Sequence, residues 1–224
     1  MTFLTEILQF TVLIPAAILA LLPLKNKLRY SGAKVAGLVA LALGCLIPFC
    51  GLVVAKTEMP VNYMFFPLMA VLYLCYHSVS TVSVGVDLSI YLFVIALMSF
   101  PANFAVAIDC QVHPTARLSD PCFLTSACQM GFSFLFLLLF FWFFWHILSF
   151  LVDNVSAPNV WLATIPIPLV FTCLNILFQP RYYETMHVNR IFSIYLSYHF
   201  LALILIFTFY IIFLKYICNL FVCF

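Results

Sequence analysis

Ser99, Asn103, Asp109, Cys110 and His113 are the residues whose types and spacing could do chemistry. They lie in and just after the stretch Ala96-Leu97-Met98-Ser99-Phe100-Pro101-Ala102-Asn103-Phe104, which closes at Asp109. Pro101 lacks a backbone donor and crowds the preceding turn, so a helix passing through it is expected to kink or break. In lipid, the freed carbonyl needs a new partner. Ser99 and Asn103 flank that point and can both hydrogen-bond. A kinked polar patch opening into a charged loop is a place to bind a ligand; it also suits helix packing. Asp109 and His113 are four residues apart with Cys110 between them, a loose metal constellation. Pro114 and the loop setting argue against a helix there, so the sequence assigns no metal and no cofactor. No HExxH, GxSxG, Walker loop or paired-carboxylate pattern is present. No residue is assigned as catalytic, and the chain is not expected to be an enzyme.

The elements that must position these residues are membrane spans. Of 224 residues, 67% are hydrophobic and 7% charged, against about 25% charged in a soluble domain. The expected fold is all-α, a polytopic transmembrane helix bundle of about seven spans, with six as the alternative. Residues 1–215 form this domain and 216–224 a short apolar tail. The lipid bilayer is its first partner. The net charge of +2 is small and scattered, which excludes nucleic acid as a partner.

Spans are expected at 3–24, 35–55, 61–77, 88–107, 123–150, 160–177 and 191–214, each near the length a bilayer requires. Lys25, Lys27, Arg29 and Lys34 make the loop after the first span the most basic in the chain. By the positive-inside rule that loop is cytoplasmic, the N-terminus outside and the C-terminus inside. The serine-rich segment 78–87 reads as a short turn on the same side. Trp142 and Trp145 fall at the inner interface, and Glu6 is close enough to the N-terminus to snorkel outward.

Gly37, Gly44 and Gly51 repeat every seven residues and share a helix face suited to close packing, within the chain or in a homodimer. Pro101, Pro166 and Pro168 are further packing features. Cys110 and Cys122 can bridge if their loop meets an oxidising compartment. The polar and aromatic handles gather at the outer ends: Ser99, Asn103, Asp109, Asn175, Arg181, Tyr182, Tyr183, Arg190 and Tyr195. Together they suggest an outward-facing ligand site on the fourth, sixth and seventh spans.

The segments 97–105, Val160-Trp161-Leu162-Ala163-Thr164-Ile165-Pro166, Leu174-Asn175-Ile176-Leu177, Pro180-Arg181-Tyr182-Tyr183 and Asn189-Arg190-Ile191-Phe192 resemble the membrane input region of GHKL-type sensor histidine kinases of Gram-positive bacteria. The likeness is strongest from Tyr91 to Leu214. It implies a signal-sensing domain of a two-component system in the bacterial cytoplasmic membrane. Its ligand would be extracellular or membrane-borne, and a kinase partner would read it. Only nine residues follow Lys215, so the resemblance implies an input region without its catalytic domain. A small transporter or permease subunit, or a structural membrane protein, is the alternative reading.

Overall fold

The computed structural model describes residues 2–57, 61–113, 122–155 and 158–178, together with 201, 202 and 204. Among them there is no strand, only an isolated antiparallel bridge between Leu28 and Ser80. The helices are α1 (Thr2–Phe10), α2 (Leu13–Leu21), α3 (Gly32–Thr57), α4 (Val61–Val79), α5 (Val84–Val112), α6 (Phe123–Trp142), α7 (Ser149–Asn154), α8 (Pro158–Leu162) and α9 (Pro166–Phe178). A 3₁₀ turn at Leu22–Leu24 closes α2, and a π-helical stretch at Phe143–Leu148 joins α6 to α7.

Four helical stretches are long and apolar enough to cross a membrane: Phe3–Leu24, Gly32–Thr57, Val84–Val112 and Phe123–Asn154. Tyr63–Val79 and Val160–Cys173 are shorter apolar helices, and the expected span at 191–214 lies outside the described residues. The described helices therefore provide four full-length spans where seven were expected. The outward faces are apolar as well. Leu41, Phe49, Leu74, Leu138, Leu139 and Phe150 are all exposed, Leu138 by 73%. In water such a surface would be an association hazard; against acyl chains it is matched to its solvent. Four such helices, apolar outward, suit a membrane by length and composition.

Prolines set the local breaks. Pro15 cannot donate to the Thr11 carbonyl and its ring crowds it. The Thr11 carbonyl instead accepts from Ile14 N at 3.0 Å, and α1 parts from α2 there. Pro166 and Pro168 act likewise on the expected sixth span. Ile165 N takes the Leu162 carbonyl at 3.3 Å and Thr164 N takes that of Trp161 at 3.0 Å, which separates α8 from α9. Pro101 behaves differently. It is buried, and α5 runs through it without a break to Val112. Pro48 of α3 and Pro67 of α4, both exposed, are carried through in the same way, so enclosure alone does not decide the outcome.

α5 is the post around which the others stand. Of its apolar stretch 67% is buried, against 28% for α3. Phe93 stacks on Phe144 at 5.7 Å between ring centroids. Phe100 stacks on Phe136 of α6 and on Phe171 of α9, at 6.5 and 5.1 Å. Ser89 of α5 bonds the Thr164 hydroxyl, which itself donates to the Trp161 carbonyl at 2.7 Å. These bonds hold the interrupted α8–α9 segment to the post.

The loops at 25–29 and 80–81 meet at one end of the bundle. Arg29 N donates to the Val79 carbonyl at 2.8 Å and Thr81 N to that of Lys27 at 2.9 Å. Asn26 reaches Asp153 at 2.8 Å. Lys25 Nζ donates to the Trp145 carbonyl at 3.0 Å and lies 4.2 Å from its ring centre, a cation–π contact at the basic rim. The ends of α2, α4 and α7 and the starts of α3 and α5 therefore share one side. These five helical stretches run alternately up and down, four of them long enough to cross a membrane. The segment 78–87, expected to be a turn, is one only over 80–83: Ser78 and Val79 end α4, and Val84 to Asp87 form the first turn of α5.

The glycine stripe splits. A Cβ at Gly51 would stand 2.8 Å from Ile7 Cγ1, and 3.2 and 3.3 Å from the Ile7 backbone N and Cα. At Gly37 and Gly44 it would meet nothing within 4 Å, and both are exposed. The packing expected along the whole stripe occurs only where α1 crosses α3. Gly51→Ala is therefore expected to destabilise by about 1–3 kcal/mol through overpacking. Gly44→Ala should instead gain up to about 1 kcal/mol from helix propensity. Thermal unfolding in detergent reads both signs. Glu6 is only 8% exposed, so it is buried among helices rather than snorkelled.

Candidate functional site

A cavity of about 550 Å³ opens between α2, α3, α4 and α5. Its walls are apolar over most of their length, with Leu13, Leu43, Phe65 and Val94 among them. Small residues on α2 (Ala16, Ala17 and Ala20) leave the space, because they cannot fill the gap that α3 and α4 frame.

Toward the basic end, Tyr76 and Tyr91 form an aromatic floor with ring centres 5.8 Å apart. Each hydroxyl is tied to backbone: Tyr76 to the Ala20 carbonyl at 3.2 Å, Tyr91 to the Met69 carbonyl at 2.6 Å. Toward the other end the lining turns polar and uncharged, with Ser99, Asn103, Gln129 and Thr172. Ser99 Oγ donates to the Ala96 carbonyl and Thr172 Oγ1 to that of Pro168, both at 2.7 Å. Gln129 Nε2 donates to the Gln9 carbonyl at 3.2 Å. With their protons so committed, the two hydroxyls offer oxygen lone pairs. From Tyr91 to Asn103 is twelve residues of one helix, about 18 Å at the helical rise. The cavity is elongated and apolar along its length, with a cluster of uncharged polar groups at one end and Ser78 at the other.

Ser99 and Asn103 thus line a cavity, as residues of a ligand site should. Their neighbours differ from the expected ones. The walls come from the N-terminal helices and α5, with Thr172 the contribution of α9, rather than chiefly from the sixth and seventh spans. Asp109 does not line this cavity. Asn175 falls in α9, but its side chain lies outside the described part, as do Arg181, Tyr182, Tyr183, Arg190 and Tyr195. Pro101 and Pro168 are buried and Pro166 exposed; none lines the cavity. Sequence reasoning did not pick out Gln129, Thr172 or the two tyrosines. Gln129, in an aromatic-rich span, was the one with a readable signal, because a buried amide in a membrane helix needs a partner.

A second cluster lies at the far end of α5. The helix continues past Ala107 to Val112, with His113 as its C-cap. Asp109 and His113 therefore share a face, contrary to the loop expected from Pro114, and His113 Nδ1 lies 2.8 Å from Asp109 Oδ1. Cys122, just before α6, completes the group. One donor atom from each of Asp109, His113 and Cys122 lies within 4.8 Å of the others. Asp109 is 1% exposed, while His113 and Cys122 are partly exposed. Cys110 and Cys122 are both free thiols in this structure, and Cys122 stands with the aspartate and histidine.

Comparison with protein-family models, with curated proteins and with solved structures finds no match to this chain.

Proposed function

We propose that this chain is a membrane-embedded receptor for an amphipathic molecule carried in the bilayer, and that the cavity between α2, α3, α4 and α5 is its binding site. The observation that carries this reading is the cavity's polarity. It has the volume of a small-molecule site, with an apolar length and a cluster of uncharged polar groups at one end. An apolar chain would occupy the length, with its head against Ser99, Asn103, Gln129 and Thr172. The lone pairs of Ser99 and Thr172 favour a head that donates a hydrogen bond, such as a hydroxyl or amide. Among the described residues no Lys or Arg lines the cavity, so an anionic head would lose hydration without compensation there.

In this reading the basic end is cytoplasmic, as in a sensor input region of the GHKL kinase type, and occupancy would change how α3 and α4 sit against α5. The ligand shifts that equilibrium only by its differential affinity for the two arrangements. The expected seven-span topology with an external N-terminus belongs to the same proposal. A transporter remains the second reading, because α1–α2 and α8–α9 are both interrupted at prolines, as discontinuous helices in transporters are.

The test is thermal unfolding in detergent with a long-chain fatty alcohol and the matching fatty acid anion. At a hundredfold excess over Kd the alcohol should raise Tm by about 5–10 °C, and the anion by less. Ala102→Phe and Ala42→Phe, which fill the cavity from two sides, should abolish the shift. Equal shifts in wild type and both variants would reject the site.

A further inference from the structure

We propose that Asp109, His113 and Cys122 form a binding site for a borderline divalent transition metal, of which zinc is the chemical type. The argument begins with the donor set. A carboxylate, an imidazole and a thiolate together match zinc and its neighbours, while an all-oxygen set would suit magnesium or calcium. Three protein ligands with one position left for water or an exogenous donor is a recognised zinc arrangement.

The geometry is close to what binding needs. In tetrahedral zinc sites the bond lengths place donor atoms about 3.3–3.7 Å apart. Here every pair lies within 4.8 Å, and His113 Nδ1 and Asp109 Oδ1 are already 2.8 Å apart. Small rotations of the two partly exposed side chains would bring the Cys122 thiol in and part the His113–Asp109 hydrogen bond by about 0.5 Å. Asp109 is buried in the last turn of α5, so its carboxylate is held by the surrounding helices. Cys122 begins α6, so the metal would clamp the α5 and α6 ends together.

The proton balance is simple. Cys122 loses its thiol proton to solvent on binding. The imidazole proton moves from Nδ1 to Nε2, which leaves the Nδ1 lone pair for the metal. Asp109 binds as carboxylate. Each metal bound therefore releases one proton, and affinity should fall as pH is lowered. On the orientation given above, the site lies at the outer end of the bundle, opposite the basic loop. It is separate from the cavity and does not depend on the ligand proposed there.

The test uses the purified chain in detergent, reduced and stripped of metal, titrated with cobalt(II). One cobalt per chain should bind, with a thiolate-to-cobalt charge-transfer band in the near ultraviolet. Cys122→Ser should remove that band, and His113→Gln should weaken binding at least about tenfold. Both positions are partly exposed, so the variants should fold. Cys128→Ser, on the same helix but outside the cluster, should leave the band unchanged. Three results would overturn the proposal: no band in the wild type at saturating cobalt, a band that survives Cys122→Ser, or a Cys110–Cys122 disulfide in protein isolated without reductant.

Discussion

Phe100→Ala is expected to lower the unfolding free energy by about 3–5 kcal/mol, the range for removing a fully buried aromatic ring. Phe100 is 0% exposed and sits between Phe136 and Phe171. One substitution therefore breaks two stacks and leaves a void between α5, α6 and α9. In a bilayer the loss is mainly packing, since lipid is as apolar as the ring. The surrounding helices cannot collapse into the space freely, because Ser89 and Thr164 already hold α8–α9 to α5. Leu138→Ala is the matching control. Leu138 is 73% exposed and faces outward, so its loss should cost less than about 0.5 kcal/mol. Reversible unfolding in mixed micelles measures both. Equal effects would mean that α5 is not the central post.

Asp87→Ala is expected to cost about 2–4 kcal/mol, somewhat less than a fully buried ion pair would. Asp87 is 0% exposed and lies in the first turn of α5, where a helix N-terminus favours a negative charge. Its Oδ2 accepts from Ser80 Oγ and, at 2.6 Å, from His77 Nδ1. His77 is 39% exposed on its side chain, so water can take over part of its bonding. Ser80 is 1% exposed and has less recourse. Its carbonyl also accepts from Arg29, and it pairs with Leu28, so the basic loop should loosen with it. Hydrogen exchange should rise at residues 27–29 and 79–81 in the variant. Asp87→Asn preserves an acceptor and should cost less. A variant with Asp87→Ala as stable as wild type would remove this cluster from the account.

The helices themselves were legible because each is a long apolar run. Phe3–Leu24 and the start of α6 at Phe123 fall where the sequence alone puts them. Boundaries moved where neighbours contribute backbone partners or packing. α5 is longer at both ends than its apolar core, and the expected fifth span continues through a π-helical stretch to Asn154. Which prolines break a helix was not legible locally: Pro48, Pro67 and Pro101 are carried through, the first two exposed and the third buried, while α9 begins only at Pro166. The heptad spacing of Gly37, Gly44 and Gly51 identified a face but not which part of it meets α1. Ser99 and Asn103 could be nominated because polar groups in an apolar run stand out. The walls that complete their cavity come from α2, α3 and α4, many residues away, and spacing along one helix says nothing about them. Cys122 joined Asp109 and His113 for the same reason: it lies farther along the chain, beyond any i, i+4 pattern.

The most direct test of the receptor reading is photo-crosslinking with a long-chain alcohol carrying a diazirine near the chain terminus, in lipid nanodiscs, followed by peptide mapping. The account predicts saturable labelling toward the aromatic floor, at Met69, Tyr76 or Tyr91, competed by the unlabelled alcohol and lost in Ala102→Phe. Labelling that does not saturate and is spread over the outward faces at Leu41, Leu138 and Leu139 would contradict it, and would leave the alcohol as bulk lipid around a protein with no site for it.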